Sequence, residues 1–314
     1  MIITIGAFDG FHKGHAELLK LCRKVADGQD WGVVSFYPHP EQFMNTLTST
    51  LFTLRERELI RRCLGIPNMF VLSFNDELRR LPPQKFWRLL REKFSVDGLV
   101  MGSDFHFGMN RAGSAESLSR LAKDDGLTKV FTLPLLEKSE YSSSRVRECF
   151  SAGRAKECEG ILGYPCFLMG KVLHGKGRGR TMSYPTANID VKGRIVPQDG
   201  VYASAVFVRG GWYCGAVSVG KNPTFGDVNE VRCEVHILDF SGDIYGEEVP
   251  VFFLERVRGI ETFAGIDELR ARIALDAEEC RRIYGMMEGH SFFKRVQEVL
   301  STGEITTKIV RLTQ

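Results

Sequence analysis

The chain has no apolar run approaching the roughly 20 residues that a helix needs to cross a bilayer, so a helical membrane protein is excluded. It has no excess of one charge: 42 Lys and Arg face 39 Asp and Glu, a formal balance of +3. The broad positive field of a general nucleic-acid binder is therefore missing, and neither nucleic acid nor membrane is an expected partner. No basic stretch opens the N-terminus, and Asp9 interrupts the first apolar residues, which does not match a secretory signal. The eight cysteines are scattered without a Cys-x-x-Cys pair. They are expected to be buried thiols in a reducing cytoplasm, not a disulfide framework or a zinc site. Internal repeats and low-complexity tracts are also absent. What remains is 314 residues, 43% of them hydrophobic and 26% charged, enough for about two domains with substantial cores.

Two grammars divide the chain. Up to about residue 162, short β-branched runs alternate with helical periodicity: strand at Met1–Gly6, helix at Gly14–Ala26, strand at Gly32–Phe36, helix at Leu54–Leu64. The pattern continues with strands at Met69–Ser73, Gly98–Met101 and Val130–Leu133, and with helices from Pro83, Ser114 and Ser142. Such alternation predicts a parallel sheet covered on both faces. From Cys166 to Arg258 the chain reads as short strands separated by Gly, Asn, Asp and Pro turns, which predicts an antiparallel barrel or sandwich. Helical patterning returns at Phe263–Tyr284 and Ser291–Leu300.

Gly6-Ala-Phe-Asp-Gly-Phe-His-Lys-Gly-His15 joins the first strand to the first helix. Open α/β sheets bind ligands at such carboxyl ends of strands, against a helix N-terminus. Gly6 and Gly10 permit close backbone approach, and the i, i+3 spacing aims His12 and His15 the same way. Two imidazoles with free backbone N–H groups suit a phosphate gaining charge under attack. Two capping histidines are the plainer alternative. Tyr141-Ser-Ser-Ser-Arg-Val-Arg147 also starts a helix after a strand, and Arg in a first turn opposes the helix dipole, so a bound anion explains it better than a capped solvated turn. Asp104 and His106, after another strand end, are ligand contacts or turn residues. Tyr37-Pro-His-Pro40 is either a cover for a flat ring or a stiff loop.

The second candidate site is His174-Gly-Lys-Gly-Arg-Gly-Arg-Thr-Met-Ser-Tyr-Pro-Thr-Ala-Asn188. Its glycines, Lys176, Arg178 and Arg180 suit a basic loop over a polyphosphate, without the ending of a Walker loop; contact with RNA is the alternative. Thr186 and Asn188 offer hard oxygen donors of the kind Mg²⁺ takes. In Val231–Ile237, alternation puts Arg232, Glu234 and His236 on one face. Glu234 there is either a general base or one member of a surface ion pair.

Together these motifs resemble the prokaryotic bifunctional riboflavin kinase/FMN adenylyltransferase family. The resemblance rests also on Gly102-Ser-Asp-Phe-His-Phe-Gly108, Gly200-Val-Tyr202, Glu234-Val-His-Ile-Leu-Asp-Phe240 and Asp243-Ile-Tyr-Gly246, in that order along the chain. It implies a Rossmann-like nucleotidyltransferase domain over 1–162 and a riboflavin-kinase-like barrel with flanking helices over 163–285; residues 286–314 have no counterpart in the family and are expected, from their helical patterning, to be a packing or assembly helix. It also implies a cytoplasmic enzyme that turns riboflavin into FMN and FMN into FAD, with ATP and Mg²⁺. Carried over by motif, Thr186 and Asn188 would hold Mg²⁺ and phosphate, Gly175 and Arg180 would shape the loop over ATP, and Glu234 would be the base. Arg258 would face the flavin. In the first domain Gly6, Phe8, Asp9, His12, His15, Asp104, Ser142, Ser143 and Arg147 would bind ATP, with His12 and His15 catalytic. The chain departs from the family at Met182-Ser-Tyr184, where Leu-Gly-Phe is usual. Retention of one activity only, or a non-catalytic flavin- or nucleotide-binding module, are the competing readings. Oligomeric state is left open.

Overall fold

The computed structural model of the chain describes residues 1–47, 49–134, 140–174, 184–221, 231–303, 305 and 309–310. Its contacts gather into two compact units, one from Met1 to Ser143 with the C-terminal strand, the other from Ser144 to Gly303.

The first unit alternates as its sequence predicts. Strands β1 (Ile2–Ile5), β2 (Trp31–Tyr37), β3 (Asn68–Ser73), β4 (Gly98–Gly102) and β7 (Lys129–Leu133) are interleaved with helices α1 (Lys13–Ala26), α3 (Leu54–Cys63), α5 (Pro83–Phe94) and α6 (Ala115–Asp124). Short pieces fill the connections: α2 (Pro40–Phe43), α4 (Asp76–Arg79) and the two-residue strands β5 (His106–Phe107) and β6 (Gly113–Ser114). Every residue of β1 and β4 is buried, as strands covered on both faces must be, which is why they read as unbroken apolar runs. All neighbours in the sheet are parallel, in the order β14-β3-β2-β1-β4-β7. Strand β14 (Ile309–Val310) aligns Ile309 with Val71 and extends the β3 edge. Succession runs outward from β1 through β2 to β3, then resumes on the other side at β4. Carboxyl ends of β1 and β4 therefore flank the point where strand order reverses, the place where open α/β sheets take ligands.

The second unit begins with α7 (Ser143–Ser151), whose first residue still counts with the first unit, and α8 (Ala155–Leu162). The sequence places the domain boundary near Leu162, whereas contacts divide the chain at Ser143/Ser144. Phe150 on α7 packs edge-on against Phe253, with ring centroids 5.4 Å apart, so α7 shares the barrel's core. The barrel is closed, in the order β10 (Gly200–Val208), β11 (Gly211–Lys221), β12 (Val231–Ile237), β9 (Ala187–Ile189), β8 (Phe167–Leu173), β13 (Glu248–Arg258). Val217, Val219, Cys233, Val235 and Ile189 alternate into its buried interior. Helix α9 (Ile266–Gly285) covers β10 and β11. The extension beyond residue 285 supplies α10 (Ser291–Ser301), where Phe292 stacks on Tyr164 and Phe293 lies 4.6 Å from Trp212. All eight cysteines are buried free thiols. Burial pushes Cys22, Cys158, Cys214, Cys233 and Cys280 up to about 12, far from thiolate chemistry. Among the described residues, no helix is long and apolar enough to cross a membrane.

Candidate functional site

The motifs Gly6–His15 and Gly102–Gly108 follow β1 and β4, which are neighbours in the sheet, so their loops leave one edge of the fold side by side, and a third motif, starting at Tyr141, comes after β7 in the chain. Gly6–His12 forms the turn into α1 with His12 at the N-cap, and the His15 N–H donates to the His12 carbonyl at 2.8 Å. The two imidazoles stack, with centroids 3.8 Å apart and planes 27° from parallel. The Phe8 ring would stand 3.3 Å from a Cβ on Gly6, and its centroid lies 4.9 Å from that of the His15 ring. Burial, with the neighbouring His12 adding to it, pushes the His15 pKa well below its ordinary value. At neutral pH His15 is therefore a neutral ring with a single N–H to donate.

Asp9 is almost fully buried, and its carboxylate accepts from the Leu51 and Phe52 N–H groups at 3.0 and 3.2 Å. These bonds anchor the segment ahead of α3 to the turn. Ser143, the first residue of α7, donates its hydroxyl to the Asp9 carbonyl at 2.8 Å, which ties the third motif to the first. Ser142 stands one residue before it. Arg147 lies a turn further along α7 and donates to the Ser144 hydroxyl at 3.4 Å. Asp104 is exposed in the turn after β4, where its carbonyl meets His106 Nδ1 at 2.7 Å. His39, from the aromatic-proline segment, is buried and caps α2 by accepting from the Glu41 N–H.

Gly14 shows how tight this arrangement is. A Cβ there would stand 2.7 Å from the Tyr141 carbonyl and 3.0 Å from the His12 ring. Gly14→Ala must displace the backbone that leads into α7 or the His12 ring, and misplacement of about 1 Å at a reacting centre can cost about 100-fold. Its expected effect is a loss of at least tenfold in FAD formation from FMN, with FMN formation from riboflavin unchanged, read by chromatography of both flavins.

In the second unit, strand register assembles the site. Glu234 on β12 pairs with Asn188 on β9 and with Ser218 on β11. Directly opposed residues share a face, so Asn188, Glu234 and Ser218 stand in a row on the outside of the barrel. Thr186 precedes β9, and its neighbour Pro185 accepts from His236 Nδ1 at 2.8 Å, which fixes this segment against β12. Thr186 and Asn188 line a cavity of about 590 Å³ with Val172, Asp243 and Tyr245. Glu234 does not line it and borders it through Asn188. The sequence assigns no role to Ser218, nor to Asp243 and Tyr245, although their Asp-Ile-Tyr-Gly motif is part of the resemblance; the His174 ring stacks on Tyr245 at 3.8 Å. Gly175, Arg180 and Ser183 lie outside the described residues.

Arg258, which the resemblance turns toward the flavin, has its guanidinium engaged within the chain. Its Nε and Nη2 donate to the Asp276 carboxylate at 2.7–2.9 Å, and its Nη1 donates to the Gly259 carbonyl. With side-chain exposures of 11% and 6%, this ion pair fastens α9 to the barrel. Removing one partner of such a pair costs about 3–5 kcal/mol. Asp276→Asn is expected to lower the unfolding transition of the second unit by roughly 6–20 °C, checked by calorimetry.

Two family profiles divide the chain. FAD synthetase matches residues 1–146, and riboflavin kinase matches residues 162–284. Among curated relatives, bifunctional riboflavin kinase/FMN adenylyltransferases from Pseudomonas fluorescens and Listeria monocytogenes are 33% and 31% identical. Those alignments cover 90% and 91% of this chain, and 92% and 93% of the relatives. A solved structure from Streptococcus pneumoniae, described as a macrolide-efflux protein, superposes with a TM-score of 0.80 at 34% identity, covering 89% of this chain and 93% of that one. With a kinase profile over its barrel, a synthetase profile over its parallel sheet and relatives matched nearly end to end, the chain belongs to the bifunctional riboflavin kinase/FMN adenylyltransferase family.

Proposed function

We propose that the second unit transfers the γ-phosphoryl group of ATP to the ribityl 5′-hydroxyl of riboflavin, giving FMN, and that the first unit joins FMN to the AMP part of ATP, giving FAD and pyrophosphate. What supports this reading is that Asn188 stands beside Glu234 in the barrel, while the loops after β1 and β4 flank the reversal point of the sheet.

In the first reaction the Glu234 carboxylate accepts the proton of the attacking hydroxyl while Thr186 and Asn188 hold the nucleotide phosphates. Their hydroxyl and amide oxygens are hard, neutral donors, a set that fits Mg²⁺, and among the described residues no group of three or more His, Cys, Asp and Glu could hold a metal. Thr186 and Asn188 would hold Mg²⁺ with the phosphates, and the ion would offset phosphate charge. Arg258 acts from behind, by fixing α9. In the second reaction an FMN phosphate oxygen attacks the α-phosphorus of ATP and the bond to pyrophosphate breaks. His12 and His15 donate to the oxygens that gain charge, and Ser142 and Ser143 receive the departing phosphates.

Glu234, Thr186 and Asn188 belong to the second unit, and His12, His15, Ser142 and Ser143 to the first, so the two reactions are read as separate steps with FMN as the product of one and the substrate of the other. Purified protein incubated with riboflavin, ATP and Mg²⁺ should show FMN rising first and then giving way to FAD. FAD from supplied FMN without FMN from riboflavin would remove the kinase assignment and direct attention to Ser183. No flavin product at all would leave only a binding module.

A further inference from the structure

The turn from β1 into α1 holds a shape that its own residues do not favour. Phe8 and Phe11 both have left-handed backbone angles, φ 47° and 45°, and Gly10 between them has φ 109°. For a bulky L-residue that conformation is costly and persists only when its surroundings impose it. The two rings are buried and stacked, 5.4 Å apart, but ring packing alone does not dictate main-chain angles.

The main chain of the turn is gripped from α3. Arg57 is 3% exposed, and its guanidinium lies across the carboxyl ends of two adjacent strands. Its Nη1 donates to the Ala7 carbonyl at 3.0 Å and to the Ser35 hydroxyl at 2.9 Å, and its Nη2 donates to the Phe36 carbonyl at 3.2 Å. Ser35 in turn donates to the same Ala7 carbonyl at 2.7 Å. On the other side of Phe8, the Asp9 carboxylate holds the backbone of Leu51 and Phe52 just ahead of α3. Thr53 caps that helix through a reciprocal pair of bonds with Glu56. The turn and α3 thus hold each other at both ends: Asp9 ties the start of α3, and Arg57, one turn into it, ties Ala7.

A charge buried in this way is a poor stabilising device. An apolar side chain of similar size is often as good or better in a core. Burial lowers the Arg57 pKa from the ordinary arginine value, and Asp9 and Tyr37 only partly restore it. Its Nε has no hydrogen-bond partner. What an arginine offers here, and a methionine or a lysine does not, is a planar fork that spans acceptors on two strands at once. We propose that Arg57 is a positioning residue for adenylyl transfer: by clamping the Ala7 and Phe36 carbonyls it sets the strained turn that carries His12 and His15, and so aligns both imidazoles on the reacting phosphates.

The proposal rests on the adenylyltransferase reading, so wild-type protein must first make FAD from FMN; failure at that point removes the reading itself. Arg57→Met and Arg57→Lys are then compared in both half-reactions. The expected result is a fall in kcat for FAD formation of at least tenfold in Arg57→Met, with a KM for ATP within threefold of wild type. Arg57→Lys, which keeps the charge but not the fork, falls between. FMN formation from riboflavin in the same preparations stays within twofold. Ser35→Ala removes the hydroxyl shared by Arg57 and Ala7 with little loss of volume, and is expected to lower the same kcat by a smaller factor. Wild-type kcat in Arg57→Met, or an equal loss of both half-reactions, overturns the proposal. If Arg57→Met does not fold, Ser35→Ala decides, and an unchanged kcat there overturns it equally.

Discussion

Glu234→Gln is expected to lower FMN formation from riboflavin by about 10²–10⁴-fold, the usual worth of a positioned general base. FAD formation from supplied FMN should stay within twofold of wild type. The substitution is nearly isosteric and Glu234 is only half-buried on the outer face of β12, so the barrel should fold unchanged. The amide can still hydrogen-bond to a ribityl hydroxyl, so the KM for riboflavin should move less than kcat. That split separates a proton acceptor from a residue that merely binds, because lost uniform binding raises KM and leaves kcat alone. An unchanged kcat would return Glu234 to the role of a surface carboxylate in the Asn188–Glu234–Ser218 row.

His15→Ala is expected to remove FAD formation by about 10²–10³-fold, the cost of losing one preorganised donor to a developing negative charge. FMN formation should continue. The same residue makes a prediction about acid stability. Burial and the adjacent His12 hold the folded-state pKa of His15 below its unfolded value of about 6.5. Below that pH the unfolded chain binds a proton that the folded site resists. Stability of the first unit is therefore full above about pH 6.5 and is lost as the pH falls through the window down to the lower, folded value. His15→Ala removes this contribution, so its unfolding temperature should fall less than that of wild type between pH 7.5 and 5.5. Equal slopes in calorimetry would contradict the buried, neutral imidazole.

Much of this was legible before folding, and the exceptions share a cause. Strands such as β1 and β4, fully buried in a parallel sheet, carry their signal in consecutive apolar residues, and the helices between them carry theirs in a 3.6-residue period. Strand β9 is only three residues long, and its Ala187-Asn-Ile189 reads as the end of a loop until β12 aligns with it. Strand β14 pairs with β3 across more than 200 residues of sequence, a contact that leaves no local trace. The contact of Phe150 with Phe253 is equally invisible in a window of neighbours.

The candidate site follows the same division. Spacing alone placed His12 and His15 on one face, but only the fold shows their rings in contact. Alternation alone placed Glu234 outward, and register then set it beside Asn188. Arg258 is matched to its motif, yet the carboxylate that occupies its guanidinium stands 18 residues away on α9. Arg57 reads as one more surface arginine in Leu54–Cys63, a helix rich in charge, and its burial comes from packing against the strand ends.

One chain with two separate catalysts, joined by free FMN, is tested most directly by mixing two disabled proteins. Glu234→Gln and His15→Ala are each incubated with riboflavin, ATP and Mg²⁺, alone and together. The expected result is FMN without FAD from His15→Ala, neither product from Glu234→Gln, and FAD from the equimolar mixture. A mixture that yields no FAD, from proteins that each keep their own half-reaction, would contradict it.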